Sequence, residues 1–261
     1  MVKIKEPKVI VSWACTGYNN SGLSLRIARE LSRHYKSLLV ELPCLGIPRL
    51  GFVCNIMDRE RHAEAAILDL DNGKGFNWDL VHKADGLSLL PANVFAAPDY
   101  PVFSKVEMNT LIEFPRTVVN EGAKKEYQWI VFDCQGQLTN PMTFFALKQS
   151  EKVLIPVDNP GDAAYVLANI KRLVNVFKQP ASKFLVLASA DLEEMRKLMV
   201  LKNEEQKQEY NVKVAAREMK DILNFCVGNQ ISYLNIEQND TFYEEQHVDD
   251  LEVKEAVRIK L

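Results

Sequence analysis

The sequence predicts an α/β protein with a mostly parallel sheet of about seven strands flanked by helices. Short apolar runs alternate along the chain with amphipathic stretches, which is the pattern of repeated βαβ units. The runs are continuously apolar, as strands buried on both faces of a parallel sheet require. The chain has 261 residues, 47% of them hydrophobic, which is enough for one large core. No repeat or linker marks a boundary, so we expect a single domain over 1–261.

Seven apolar runs define the predicted strands, and five amphipathic stretches between them define the predicted helices. The strands are expected at 8–15, 37–42, 86–91, 128–133, 152–157, 183–188 and 230–236. The helices are expected at 23–35, 59–70, 105–119, 141–148 and 162–177. The highly charged stretch 191–218 is expected to be a solvated helix or loop, with a partner-docking surface as the alternative.

Charge and cysteine content disfavour several classes of protein. A net charge of -3 at pH 7 gives no global reason to bind nucleic acid or an acidic membrane. The 5 cysteines are scattered without a CxxC pair, so they form neither a disulfide framework nor a zinc motif. This cysteine usage favours a reduced, cytoplasmic setting. No segment approaches the ~20 apolar residues of a transmembrane helix.

Few residues suggest other chemistry. The 4 histidines are widely spaced, and none pairs with a cysteine or an acid at metal-ligand spacing. No G-x-S-x-G elbow indicates a nucleophilic serine. A last helix is expected at 248–261, where four acids against three bases disfavour an anionic bilayer and favour a packed or dimer-facing helix.

A glycine-containing loop follows the first predicted strand and opens the first predicted helix. Its spacing, Gly17-x-x-x-x-Gly22-x-Ser24, fits the P-loop pattern G-x-x-x-x-G-K-[ST], except that Leu23 stands at the lysine position. In such a loop, backbone N–H groups and the positive end of the helix hold phosphate, and the serine hydroxyl can ligate Mg²⁺. Leucine cannot neutralise phosphate charge. A plain strand–turn–helix connection is the alternative.

In this loop the chain resembles the ParA/MinD group of deviant-Walker P-loop ATPases, whose phosphate loop reads K-G-G-x-G-K-[ST]. The family's signature lysine falls on Tyr18, and its next two glycines fall on Asn19 and Asn20. The P-loop lysine falls on Leu23, and the magnesium-binding hydroxyl falls on Ser24. Both lysines are therefore missing. The cofactor-binding segment that the resemblance implies is Gly17, Tyr18, Asn19, Asn20, Ser21, Gly22, Leu23 and Ser24.

The resemblance continues from about residue 8 to about residue 188, and in layout it is most similar to the TadZ/CpaE-like proteins of pilus assembly. Glu41 falls on the first acid at the end of the family's second strand, whereas the second acid is replaced by Pro43. The stretch 129–136 is similar to the Walker B strand and switch segment. It implies that Asp133 holds Mg²⁺ together with Ser24, and that the N–H of Gly136 meets the γ-phosphate. The alternative is that Asp133 caps the helix predicted at 141–148 or bonds the turn before it.

The resemblance and its departures together predict a catalytically impaired ParA/MinD-like protein that acts as a positioning or scaffolding factor. The resemblance implies a homodimer that serves a pilus or secretion assembly. It also implies ATP and Mg²⁺ as cofactors, but the missing lysines predict weak nucleotide binding or none. We assign no catalytic residue. The rival hypotheses are an active ATPase that takes a charge from its partner subunit and a ParA-type DNA-partitioning protein.

Overall fold

The computed structural model describes residues 5–14, 20–44, 48–84, 86–96, 100–157, 160–188 and 232–235. The described chain divides into two compact units, one within 5–153 and the other within 154–235. The predicted residues Gly17, Tyr18 and Asn19, the charged stretch 191–218 and the last helix at 248–261 lie outside the described residues. The expectation of a single domain stays a prediction.

The first unit is built on a parallel sheet with one antiparallel edge strand. Its strands are β1 (Lys8–Ala14), β2 (Ser37–Glu41), β3 (His82–Ala84), β4 (Leu87–Leu90) and β5 (Trp129–Gln135). Their order across the sheet is β3-β4-β2-β5-β1, and only the β3–β4 pair among them is antiparallel. The register places Ser12 of β1 and Glu41 of β2 on either side of Asp133 in β5.

Helices complete the first unit around this sheet. They are α1 (Asn20–Ser32), α2 (Leu50–Val53), α3 (Ala63–Asp71), α4 (Pro101–Ser104), α5 (Met108–Lys124) and α6 (Pro141–Gln149), with a 3-10 turn at Trp78–Leu80. The strands β2, β4 and β5 are buried along their whole length. Apolar side chains of α1 and α5, such as Ile27 and Phe114, are also fully buried and complete the core.

The second unit contains most of β6 (Lys152–Val157), followed by α7 (Pro160–Asn175), a 3-10 turn at Ala181–Lys183, β7 (Phe184–Ala188) and β8 (Ser232–Asn235). Within it β6 lies beside β7, and β7 pairs with β8 in parallel from Leu185 opposite Ser232.

The predicted fold class, an α/β fold with mostly parallel strands flanked by helices, is confirmed. Each of the seven predicted strands has a counterpart, and β3 is an additional short strand that the sequence reading missed. The first helix begins at Asn20, three residues before its predicted start. In the part of the chain that the structure describes, no helix has both the length and the apolar character needed to cross a bilayer.

Candidate functional site

A buried polar cluster lies where β1, β2 and β5 end and α1 begins. Parallel strands bring their carboxyl ends to one edge of the sheet, which is where ligands bind in open α/β folds. Seven polar side chains gather there, each at most 4% exposed: Ser12, Asn20, Ser21, Ser24, Glu41, Asp133 and Gln135. Such a concentration of polar groups inside an apolar sheet indicates a functional or inherited site.

Asp133 is the central acid of this cluster and is fully buried. Its Oδ1 accepts a hydrogen bond from Nδ2 of Asn20, whereas its Oδ2 has no hydrogen-bond partner among the described residues. Burial raises the pKa of Asp133 to about 6, against the lowering effects of Asn20, of the facing hydroxyls of Ser21 and Ser24, and of the Arg49 guanidinium. A buried carboxyl oxygen without a partner is an unusual and costly feature in a folded protein.

Asn20 joins β1, β5 and α1 through its side-chain amide. Its Nδ2 lies 2.8 Å from the carbonyl oxygen of Ser12 and 3.1 Å from that of Cys134, in addition to its contact with Asp133. Its Oδ1 accepts a 2.6 Å hydrogen bond from Oγ of Ser12. These bonds fix Asn20 of α1 against the two strands.

Glu41 is the second buried acid, and backbone N–H groups surround it. Its Oε1 accepts from N of Arg49 at 2.7 Å and N of Leu50 at 3.2 Å, and its Oε2 accepts from N of Ala92 at 3.0 Å. Burial, followed by the negative charge of Asp133, raises the pKa of Glu41 to about 8, despite these three backbone hydrogen bonds. Glu41 therefore holds the start of α2 and the chain after β4 in place.

The serine hydroxyls of α1 are engaged within the protein. Oγ of Ser24 donates to the backbone oxygens of Asn20 at 3.0 Å and Ser21 at 3.2 Å, which is a common way for serine to bond inside a helix. Oγ of Ser21 accepts from Nε2 of Gln135 at 3.1 Å, and the same Nε2 lies 3.4 Å from Oε1 of Glu41. Gln135 thus bridges α1 and β2.

Gly136 follows β5 with a φ of +87°, a backbone conformation that favours glycine. Its N–H donates to the carbonyl oxygen of Ala14 at 3.0 Å, so in this structure the group predicted to meet a γ-phosphate bonds the end of β1. Its carbonyl oxygen accepts from Nε1 of the buried Trp13 at 3.0 Å. Trp13, one of the chain's three tryptophans, therefore contacts the residue that follows β5.

The structure brings together every described member of the predicted site near the ends of β1, β2 and β5. The helix after β5 is capped by Asn140, whose Oδ1 accepts from the N–H groups of Met142 and Thr143. The alternative role of Asp133 as that cap is therefore wrong. Sequence reasoning missed Ser12 and Gln135. Both could have been found from the sequence, because each is a polar residue within or just after an apolar run that predicts a buried strand.

The described donor groups do not fit a magnesium–nucleotide complex. Such a complex needs Ser24 and Asp133 free to face the metal, and a cation to offset the phosphate charge. Here the hydroxyl of Ser24 bonds its own helix, Asn20 holds one oxygen of Asp133, and the lysine position is the half-buried Leu23. Bringing a polyphosphate beside the buried carboxylate of Asp133 would add like charge. Among the described residues no group of three or more His, Cys, Asp or Glu could hold a metal ion.

Comparison by sequence finds neither a matching protein-family model nor a matching curated protein. Solved structures do match. A ParA family ATPase from Chlorobium tepidum TLS superposes with a TM-score of 0.58 at 14% identity, over 91% of this chain and 88% of that chain. A chain of the MinC:MinD cell division protein complex of Aquifex aeolicus gives 0.56 at 17% identity, over 87% of this chain and 79% of that one.

A third match is a putative plasmid partition protein from Borrelia burgdorferi B31, solved bound to AMPPNP. It superposes with a TM-score of 0.53 at 15% identity and covers 97% of this chain and 100% of that chain. At these identities the matches establish the fold and no more. The chain has the ParA/MinD-type P-loop ATPase fold.

Proposed function

We propose that this chain is a catalytically impaired ParA/MinD-like protein that works as a positioning or scaffolding factor. One observation carries the proposal: Asn20, at a glycine position of the family loop, bonds directly to Asp133, the acid at the magnesium position. A side chain of the protein thus engages a group that an active member of this fold would offer to its metal. The fold is retained while the donor set is committed to internal bonds.

The missing positive charges support the same conclusion. A lysine at position 23 would stabilise charge on the β- and γ-phosphates, and leucine offers no such interaction. Loss of a group that stabilises transition-state charge costs roughly 3–4 kcal/mol, which corresponds to a rate lower by a factor of about 10²–10³. Two lysines are missing at family positions, so efficient hydrolysis is not expected.

A scaffolding function requires protein partners, and we propose a homodimer in the cytoplasm that docks further proteins. The MinC:MinD match is itself a complex of two different proteins, which supports a partner-binding function for this fold. Similarity in layout to TadZ/CpaE-like proteins points to a pilus or secretion assembly as the partner. The net charge of -3 argues against non-specific binding to DNA.

A turnover assay over a range of protein concentrations tests the proposal against the active-ATPase rival. We expect the purified chain with Mg-ATP to release phosphate no faster than its Asp133→Ala variant at every concentration. Turnover that rises with protein concentration and is lost in Asp133→Ala would contradict the proposal, because it would show an ATPase completed by a second subunit. Circular dichroism of both proteins provides the control for folding.

A further inference from the structure

We propose that the side chain of Asn20 is an internal ligand that occupies the place of a hard cation beside Asp133. The inference rests on the proposed function, because it explains how a ParA/MinD-type site can persist, closed, without its metal. It assigns Asn20 a specific role: this residue prevents a cation from binding at Asp133.

The surroundings of the Asn20 amide resemble a coordination shell made of oxygen atoms. Four oxygens bond directly to the Asn20 amide group. They are the carbonyl oxygen and Oγ of Ser12, the carbonyl oxygen of Cys134 and Oδ1 of Asp133. Each of these residues is buried, with Asn20, Ser12 and Asp133 at 0% exposure. A fifth oxygen, Oδ2 of Asp133, is buried and has no hydrogen-bond partner among the described residues.

The amide does not match this shell fully. An NH₂ group has two hydrogens, but Nδ2 of Asn20 faces three acceptor oxygens, so at least one bond must be shared. The acceptors include a carboxylate and two strand carbonyls, which is the donor chemistry that Ca²⁺, Mg²⁺ and Mn²⁺ prefer. The unpartnered Oδ2 is a further ligand that Asn20 leaves unused. Removal of the amide would therefore leave an oxygen-lined space with a net negative charge.

A substitution at Asn20 can open this space. Asn20 is the first residue of α1, so a shorter side chain there removes the amide without breaking a helix interior. Asn20→Gly also restores the residue type that the family pattern has at this position. We expect this change to convert the closed network into a binding site for a divalent cation.

The test is a titration of the full chain with Mn²⁺, followed by electron paramagnetic resonance of the free ion. We expect Asn20→Gly to gain one Mn²⁺ site that binds at least about tenfold more tightly than any site of the unmodified chain. The double variant Asn20→Gly, Asp133→Asn should lose that site. Equal Mn²⁺ affinity in the unmodified chain, or no gain in a folded Asn20→Gly variant, would overturn the inference.

A second variant keeps the test decisive if Asn20→Gly does not fold. Asn20→Ala removes the same amide with a better helix former, and its thermal unfolding can be followed by intrinsic tryptophan fluorescence. We expect Mn²⁺ to raise the unfolding temperature of Asn20→Ala and to leave that of the unmodified chain unchanged. Variants that stay unfolded both with and without Mn²⁺ would also contradict the inference, since the cation should replace the lost bonds.

The experiments distinguish a failure of the inference about Asn20 from a failure of the proposed function. Turnover or tight Mg-ATP binding by the unmodified chain would overturn the proposed function and this inference together. Absence of nucleotide binding, combined with Asn20 variants that fold but gain no Mn²⁺ site, would overturn only the role of Asn20. The same protein samples serve both measurements.

Discussion

The hydroxyls of Ser21 and Ser24 face the buried carboxyl group of Asp133, and its Oδ1 accepts a hydrogen bond from Nδ2 of Asn20. An Asp133→Asn variant can keep that bond, because its amide oxygen can accept from Asn20, while it removes a buried negative charge. We expect the variant to be more stable at about pH 8 by roughly 1–3 kcal/mol, measured by denaturant unfolding. At about pH 5 the gain should shrink, since Asp133, with a pKa of about 6, is then largely protonated. A variant less stable at pH 8 would contradict this account.

Glu41 gives the protein a predictable dependence of stability on pH. Its pKa is about 8 in the folded state, against an ordinary value of 4.5. Between these values the folded state binds more protons than the unfolded state, so the free energy of unfolding falls as pH rises from about 4.5 to about 8. One pKa unit corresponds to about 1.4 kcal/mol, so we expect a total loss of several kcal/mol, to which Asp133 adds.

Denaturant unfolding across that pH range measures this slope, and Glu41→Gln is the matched variant. The variant loses an acceptor for the N–H of Ala92 and should be less stable at low pH. Its slope should nevertheless be clearly flatter than that of the unmodified chain. Identical slopes in the two proteins would show that Glu41 does not titrate in this range.

At the residue level, sequence reasoning found the acids of the cluster but not their connections. Asp133 and Glu41 were predicted from the resemblance to the ParA/MinD group, in which they fall on the Walker B acid and on the first acid of the second strand. The hydrogen bond from Asn20 to Asp133 joins residues 113 positions apart, and no local pattern encodes such a contact. Asn20 was therefore predicted only as a phosphate-loop position.

At the scale of elements, Gly51 lets α2 pack closely against the chain that follows β4, because glycine has no side chain. A Cβ added to Gly51 would lie 2.6 Å from Cγ1 of Val94 and 2.9 Å from the backbone oxygen of Ile56. The backbone oxygen cannot move aside easily, so we expect Gly51→Ala to lower the free energy of unfolding by roughly 1–3 kcal/mol.

Gly22→Ala in α1 is the matched control. A Cβ at Gly22 meets no heavy atom of the described residues within 4 Å, and alanine favours helix over glycine by about 0.8–1 kcal/mol. We therefore expect this variant to be slightly more stable than the unmodified chain. A similar loss of stability in both variants would contradict the packing assigned to Gly51.

Elements with a strong periodic pattern were predicted well, and short ones were not. The seven predicted strands and the five helices predicted between them have counterparts, whereas the last predicted helix, at 248–261, lies outside the described residues. The four-residue helices α2 and α4 and the three-residue strand β3 were missed, because so few residues cannot show a period.

At the scale of the whole molecule, the chain has the ParA/MinD-type P-loop ATPase fold. Alternating apolar and amphipathic segments were enough to predict the fold, since they reflect burial along the whole chain. The matches to solved structures confirm that fold at 14–17% identity. The homodimer and the pilus or secretion partner were implied only by the resemblance and stay predictions, because they depend on surfaces that no periodic pattern specifies.

The most direct test of the central claim is a calorimetric titration of the full chain with Mg-ATP and with Mg-ADP, with the mass in solution recorded alongside. We expect no saturable heat at millimolar nucleotide and no change in mass on addition of either nucleotide. Binding with a Kd below about 100 μM, a binding free energy stronger than about -5 kcal/mol, would contradict the claim that the site is closed to nucleotide. That result would mean that the site still holds phosphate despite the bond between Asn20 and Asp133.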